Sequence, residues 1–208
     1  AVVGIGACVM DTLVSVPHYP KEDTKLRAAS TKQSGGGPTA TGIVAAAKLG
    51  VCCDFIGTLS EDSVGDFLIN YFKKYGVGTS GIDVLPGYRP FSSTVWLSSE
   101  TTSRTCVFDK GNLPGTVLDD AKKQLIKNAK VLMVDGNDLN CAVEAAAFAR
   151  QNGVLVLYDA GGLYEGIERL LPLCDILIPS EEFALAVSGQ PTAEQAAKTL
   201  FQRYSPKV

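Results

Sequence analysis

Residues 34–50 read Ser34-Gly35-Gly36-Gly37-Pro38-Thr39-Ala40-Thr41-Gly42-Ile43-Val44-Ala45-Ala46-Ala47-Lys48-Leu49-Gly50, a glycine triplet running straight into an alanine-rich helix. Glycine lets a backbone approach a bound group without Cβ interference, and the first amides of a helix lack intrahelical partners. The junction therefore predicts outward-pointing donors at which hydroxyls or an anion dock. A plainer reading stands beside it: glycine at such a turn also serves simply to pack a helix closely on a strand.

Outward from this junction, apolar runs of strand length alternate with segments of helical periodicity, the pattern of a parallel α/β sheet with crossover helices. Strands are predicted at 2–9, 54–57, 131–135, 154–159 and 175–179, and helices near 39–49, 64–75, 118–128, 141–152 and 193–204. Gly50, Gly76 and Gly153 each follow a predicted helix, where a left-handed residue closes the last turn. Two stretches break the rhythm. Residues 26–34 alternate small and polar side chains, and 91–97 with 105–110 read as an antiparallel pair joined by a polar turn. They predict a small sheet outside the main one, acting either as a flap over a ligand or as an edge that mediates dimer contacts.

The 208 residues suffice for one domain, with 46% hydrophobic and 20% charged residues and a formal net charge of −3. Lysine and arginine are scattered, so no nucleic-acid footprint is expected, and no apolar run approaches a bilayer span. The six cysteines contain no Cys-x-x-Cys pair and have only His18 as an imidazole companion, which argues against a zinc site and for reduced thiols in the cytoplasm. His18 itself, between prolines, reads as a surface residue. The opening at Ala1 and the finish on Ser-Pro-Lys-Val read as cut ends of a longer polypeptide.

In an open α/β sheet the carboxyl ends of the strands form the ligand crevice. Asp11, read as following the first strand directly, either faces that crevice and accepts hydroxyl hydrogen bonds or caps a turn. Asp135-Gly136-Asn137-Asp138 and Asp159-Ala160-Gly161-Gly162 put further carboxylates on the rim, with turn chemistry as the alternative. Ser180 is a predicted N-cap, and Glu181 and Glu182 follow it, positioned for a hydrated magnesium ion or simply for the helix dipole. Gly4-Ile5-Gly6 lacks the third glycine of a dinucleotide fingerprint, and neither Gly-x-Ser-x-Gly nor a phosphate loop occurs.

The order of these features resembles the ribokinase-like, or PfkB, carbohydrate kinase family. An opening strand leads to Asp11 and a short β excursion. Then come Gly36-Gly37 running through Leu49-Gly50, Phe55-Ile56-Gly57, Glu61-Asp62-Ser63-Val64-Gly65 and Tyr75-Gly76-Val77. The resemblance spans the whole chain and implies an α/β fold, a mostly parallel sheet flanked by helices with a small antiparallel β lid. It implies one incomplete kinase domain over 1–208, with lid segments at about 12–34 and 88–110. It further implies transfer of the γ-phosphoryl of ATP to a sugar hydroxyl with Mg2+, and a homodimer through the lid.

By the same resemblance Asp11, Gly36, Gly37 and Thr41 would bind the acceptor, Thr41 standing where the family has Asn. The Asn-x-x-Glu metal motif aligns with Ser180-Glu181-Glu182-Phe183, leaving Glu182 as the metal candidate. The Gly-Ala-Gly-Asp segment that carries the base is absent and is expected C-terminal to Val208. A nucleoside kinase of the same fold and a non-catalytic sugar-binding or regulatory protein are the competing expectations.

Overall fold

The computed structural model describes residues 1–208. Six parallel strands form the main sheet: β1 (Val2–Ile5), β4 (Cys53–Ser60), β5 (Val77–Leu85), β8 (Val131–Val134), β9 (Leu155–Ala160) and β10 (Ile176–Pro179), in the order β10-β9-β8-β1-β4-β5. Four strands form a second sheet: β2 (Val9–Val16), β3 (Ser30–Gly36), β6 (Ser92–Ser98) and β7 (Arg104–Asp109), in the order β3-β2-β6-β7. Helices α1 (Pro38–Lys48), α2 (Ser63–Lys74), α3 (Asp120–Lys127), α4 (Leu139–Gln151), α5 (Glu181–Ser188) and α6 (Ala193–Tyr204) complete the chain.

Side-chain alternation along the buried strands divides the core between the two faces of the main sheet. Val3, Ile5, Ile56, Leu132, Val134, Val156 and Tyr158 pack with Ile126 of α3 and the alanine stripe Ala142, Ala145, Ala146 and Ala149 of α4. On the other face Cys53, Phe55 and Leu59 pack with Ala40, Ile43 and Val44 of α1 and Leu68 and Phe72 of α2. Gly4 belongs to that second face: a Cβ there would lie 2.5 Å from Ile43 Cγ1 and 2.8 Å from Thr39 Cγ2. Its service is close seating of α1 on β1. The chain builds outward from β1 to β4 and β5 on one side and to β8, β9 and β10 on the other. The β1/β8 boundary is therefore the topological switch point, where a crevice opens at the strands' carboxyl ends.

Three sequence expectations need correction, and one strand was not foreseen. The run 2–9 is two strands. β1 stops at Ile5, because at Gly6 the backbone lies against the Asp135 carboxylate and Ala7 N donates to Asp135 Oδ2 at 2.9 Å rather than to a neighbouring strand. Asp11 accordingly sits inside β2 of the second sheet, not at the end of a main-sheet strand. The second sheet is mixed rather than antiparallel. β2 and β6 both leave from carboxyl ends of main-sheet strands, so they run side by side in the same direction, from Met10↔Ser92 to Val16↔Ser98. Finally β5, with two glycines and several polar residues, gave no strand signal. It pairs only with β4, at the sheet edge, and accommodates a bulge between Asp54 and Ile56.

Helix boundaries fall close to expectation, and α2, α3, α5 and α6 are capped by the side chains of Asp62, Asp119, Ser180 and Thr192. Past β10, Val208 N donates to Asp175 O at 3.2 Å and Val208 O accepts from Leu177 N at 3.0 Å, a parallel bridge on the sheet's edge. No helix is long and apolar enough to cross a membrane.

All six cysteines are free; Cys8, Cys53, Cys141 and Cys174 are buried, and Cys52 and Cys106 are exposed. Burial pushes the Cys141 and Cys174 thiols up to about 12 and raises Cys53. Cys8 is raised by burial and then by the charges of Asp11 and Asp135. Since the thiolate is the nucleophile, iodoacetamide at pH 8 is expected to label Cys52 and Cys106 in the native protein and the other four only after unfolding. Mass spectrometry of the peptides reads the outcome. Phe72, 1% exposed and stacked on Phe55 with ring centroids 4.8 Å apart, is the core test: Phe72→Ala is expected to cost about 3–5 kcal/mol in urea unfolding.

Candidate functional site

The second sheet stands over the switch point, and between them lies a cleft of about 760 Å³. Odd-numbered residues of β2 and β6 and even-numbered residues of β7 face it, as strand periodicity requires: Asp11, Leu13, Ser93, Val95, Leu97 and Phe108 among them. Gly35 and Gly36 line it from the end of β3, and Gly37, Pro38 and Thr41 from the start of α1, with Met133 and Asp159 from the main sheet. The wall offered by the small sheet is largely apolar around one carboxylate.

That carboxylate is Asp11. In the ladder it stands opposite Ser34 on β3 and Ser93 on β6. Ser93 Oγ donates to Asp11 Oδ1 at 2.6 Å, which fixes the carboxylate's rotation. Oδ2 lies against the Cα of Gly36, so closely that a Cβ at position 36 would overlap it. No protein donor satisfies Oδ2, so it is left as an acceptor facing the cleft.

The glycine triplet is not a loop. Gly35 and Gly36 are the last residues of β3, paired with Met10 and Val9, and only Gly37 turns, at φ +97°. A Cβ on Gly37 would run into the Ala7 carbonyl oxygen. Nor is the start of α1 an empty anion site. Pro38 has no amide hydrogen, and Thr39 N donates to Asp135 Oδ2 at 3.1 Å. Asp135, 2% exposed, also accepts from Ala7 N and, through Oδ1, from Asn137 N at 3.0 Å. The anion expected from solution at this helix terminus is built into the protein. Thr41, one turn further along, is exposed and reaches the cleft from the helix.

Asp11, Gly36, Gly37 and Thr41 thus come together in one cleft. Glu182 does not line it; with Glu181 it is exposed on the first turn of α5. Position 183 is filled by Phe183, 1% exposed and edge-on to Tyr158 with centroids 5.8 Å apart. No three His, Cys, Asp or Glu side chains gather to hold a metal ion. Mg2+ needs no such cluster, being held by one or two carboxylates together with water and substrate phosphates, and the exposed Glu181 and Glu182 would suit contact with a hydrated ion. Ser93 and Asp159 are site residues that sequence reading missed or left as turn chemistry. Asp159 is held above the usual carboxylate range by burial and by the charge of Asp135. The alternation 91, 93, 95, 97 was visible in the sequence, but only the fold says which face meets the cleft.

The profile described as pfkB family carbohydrate kinase matches residues 1–208, and the chain belongs to that family. Ribokinase of Haemophilus influenzae is 26% identical over 193 residues, covering 92% of this chain and 63% of its own length. A crystal structure from Agrobacterium tumefaciens superposes with TM-score 0.89 at 24% identity, covering 98% of this chain and 66% of that one. The ribokinase of Arabidopsis thaliana complexed with ribose and ATP gives TM-score 0.80 at 22% identity, covering 97% and 68%. The chain spans about two thirds of the length of these relatives.

The two glycines carry different constraints, side-chain overlap at 36 and backbone overlap with positive φ at 37. Gly37→Ala is expected to lose roughly 2 kcal/mol or more of stability. Gly36→Ala should unfold near the wild-type urea midpoint while displacing Asp11. Equal losses in the two variants would refute the distinction.

Proposed function

We propose that the protein acts as an ATP-dependent sugar kinase in which this chain supplies the acceptor cleft and its lid. The observation that carries the reading is Asp11. It is rotationally fixed by Ser93, pressed against Gly36, and left with a free acceptor oxygen facing a cleft with room for a sugar. A carboxylate that accepts hydroxyl hydrogen bonds, beside apolar side chains that pack against ring carbons, suits a polyhydroxylated ligand. The names of the relatives agree with such an acceptor.

In this reading Gly36, Gly37 and Thr41 border the acceptor, and the small sheet excludes water from it. ATP supplies the transferred phosphoryl group and Mg2+ its charge neutralisation. Glu182 is proposed to meet the ion only through water, in keeping with its exposed place at the start of α5. The carboxylate that deprotonates the acceptor is not assigned to any of these 208 residues; the nucleotide-binding, base-bearing part is proposed to lie C-terminal to Val208.

A homodimer through the lid is part of the same proposal. β7 is the free edge of the small sheet, all six of its residues are exposed, and Val107 and Phe108 are 62% and 64% exposed. Free cysteines support a cytoplasmic setting.

The test is ADP release by protein made from the complete coding sequence, with pentoses, hexoses, sugar phosphates and nucleosides as acceptors. Stimulation by a sugar is expected. Asp11→Asn should lower kcat/KM by roughly 10- to 100-fold, the scale of one hydrogen bond to a charged group. Stimulation by nucleosides alone would move the assignment to that class. Sugar binding by calorimetry without turnover would make the protein a binder rather than a kinase.

A further inference from the structure

The chain crosses between the two sheets four times: at 6–8 into β2, at Gly37 out of β3, at 86–91 into β6, and at 110–116 out of β7. Three of these crossings end on the single loop between β8 and α4. Ala7 N, in the first, and Thr39 N, just past the second, both donate to Asp135 Oδ2, at 2.9 and 3.1 Å. Thr116 N, in the fourth, donates to Asp138 Oδ2 at 2.7 Å. The third crossing is tied to its neighbours instead. Arg89 N donates to Asn112 Oδ1 at 2.6 Å, Asn112 N to Arg89 O at 3.2 Å, and Met10 N to Phe91 O at 3.2 Å.

The loop that carries these bonds is itself braced. Asn137 N closes it onto Asp135 Oδ1 at 3.0 Å. Gly136, at φ +76°, is wedged so that a Cβ would stand 3.1 Å from Ile167 Cδ1 and 3.2 Å from both Tyr158 Oη and Tyr164 Cδ2. Charge-assisted bonds to backbone amides are about twice as strong as neutral ones. The two halves of the small sheet are joined by the β2/β6 ladder over seven residues.

We propose that the Asp135–Asp138 loop is the common hinge anchor of the small sheet. Asp135 and Asp138 are positioning residues that set the angle of that sheet over the cleft, so that both halves move as one body. The catalytic consequence rests on the proposed kinase reading; the anchoring does not.

The experiment is amide hydrogen exchange of the whole chain without substrate, comparing wild type, Asp135→Asn and Asp138→Asn. Removing one charged acceptor is expected to speed exchange roughly 10- to 100-fold. In Asp138→Asn the faster amides should lie in 110–116 and in β6 and β7, and also in β2 and β3, with α4 and β9 as in wild type. Faster exchange confined to 110–116 would overturn the common anchor. Equal acceleration in α4 and β9 would reduce both aspartates to global stability. Should Asp135→Asn not fold, Asp138→Asn, at a half-buried site, decides alone.

In the sugar kinase assay Asp138→Asn is expected to raise the KM for sugar about tenfold with kcat within about twofold, because a loosened lid weakens acceptor binding. A fall in kcat at constant KM, the signature of a smaller folded fraction, would count against the positioning role. If no acceptor supports turnover, the kinase reading fails while the exchange result still stands or falls by itself.

Discussion

A carboxylate sealed from water has to find donors within the protein, and Asp135 finds three backbone amides at the one point where the sheet reverses its order of strands. Each amide belongs to a different part of the chain: the exit from β1, the first turn of α1, and the loop after β8. Satisfying that charge therefore fixes how the small sheet departs, how it returns, and where the floor of the cleft lies. One amide of the first turn of α1, Thr39 N, is engaged in the process. In the cleft Asp11 keeps its second oxygen available, beside Thr41, Arg104 and Asp159.

The second constraint is steric and follows from the first. With β1 ended at Ile5 and α1 seated on Gly4, the return strand β3 has to pass within contact of both Ala7 and Asp11. Gly36 allows the Asp11 carboxylate to lie on the backbone, and Gly37 allows the chain to turn past the Ala7 carbonyl. The triplet packs the return strand against Asp11 and Ala7, the plainer of the two readings that the sequence left open, and it lines the cleft as well.

The two positions at which the resemblance implies a departure from the family's motifs have distinct physical settings. Thr41 is exposed on the cleft side of α1, where a side chain can change without disturbing the core. Phe183 is the opposite case: it is buried and completes an aromatic contact with Tyr158 beneath the sheet's rim. A carboxylate in that pocket would be an unpaired buried charge.

Alternating apolar runs and helical periodicity determined the parallel α/β architecture, because buried central strands and amphipathic helices write their environment into local composition. Several helix ends were legible for the same reason, through Ser180 and the glycines after the helices. The grouping of Asp11 with Gly36, Gly37 and Thr41 was read from order and resemblance. What local pattern does not contain is direction and partner. The break at Gly6, the parallel pairing of β2 with β6 and the edge strand β5 depend on contacts made across the fold. Asp135 is the clearest instance: in sequence it is a turn residue, and only tertiary structure brings Ala7 and Thr39, 128 and 96 positions away, onto its oxygen. Side-chain type and period are local properties of the chain, whereas satisfying a buried charge is a property of everything packed around it.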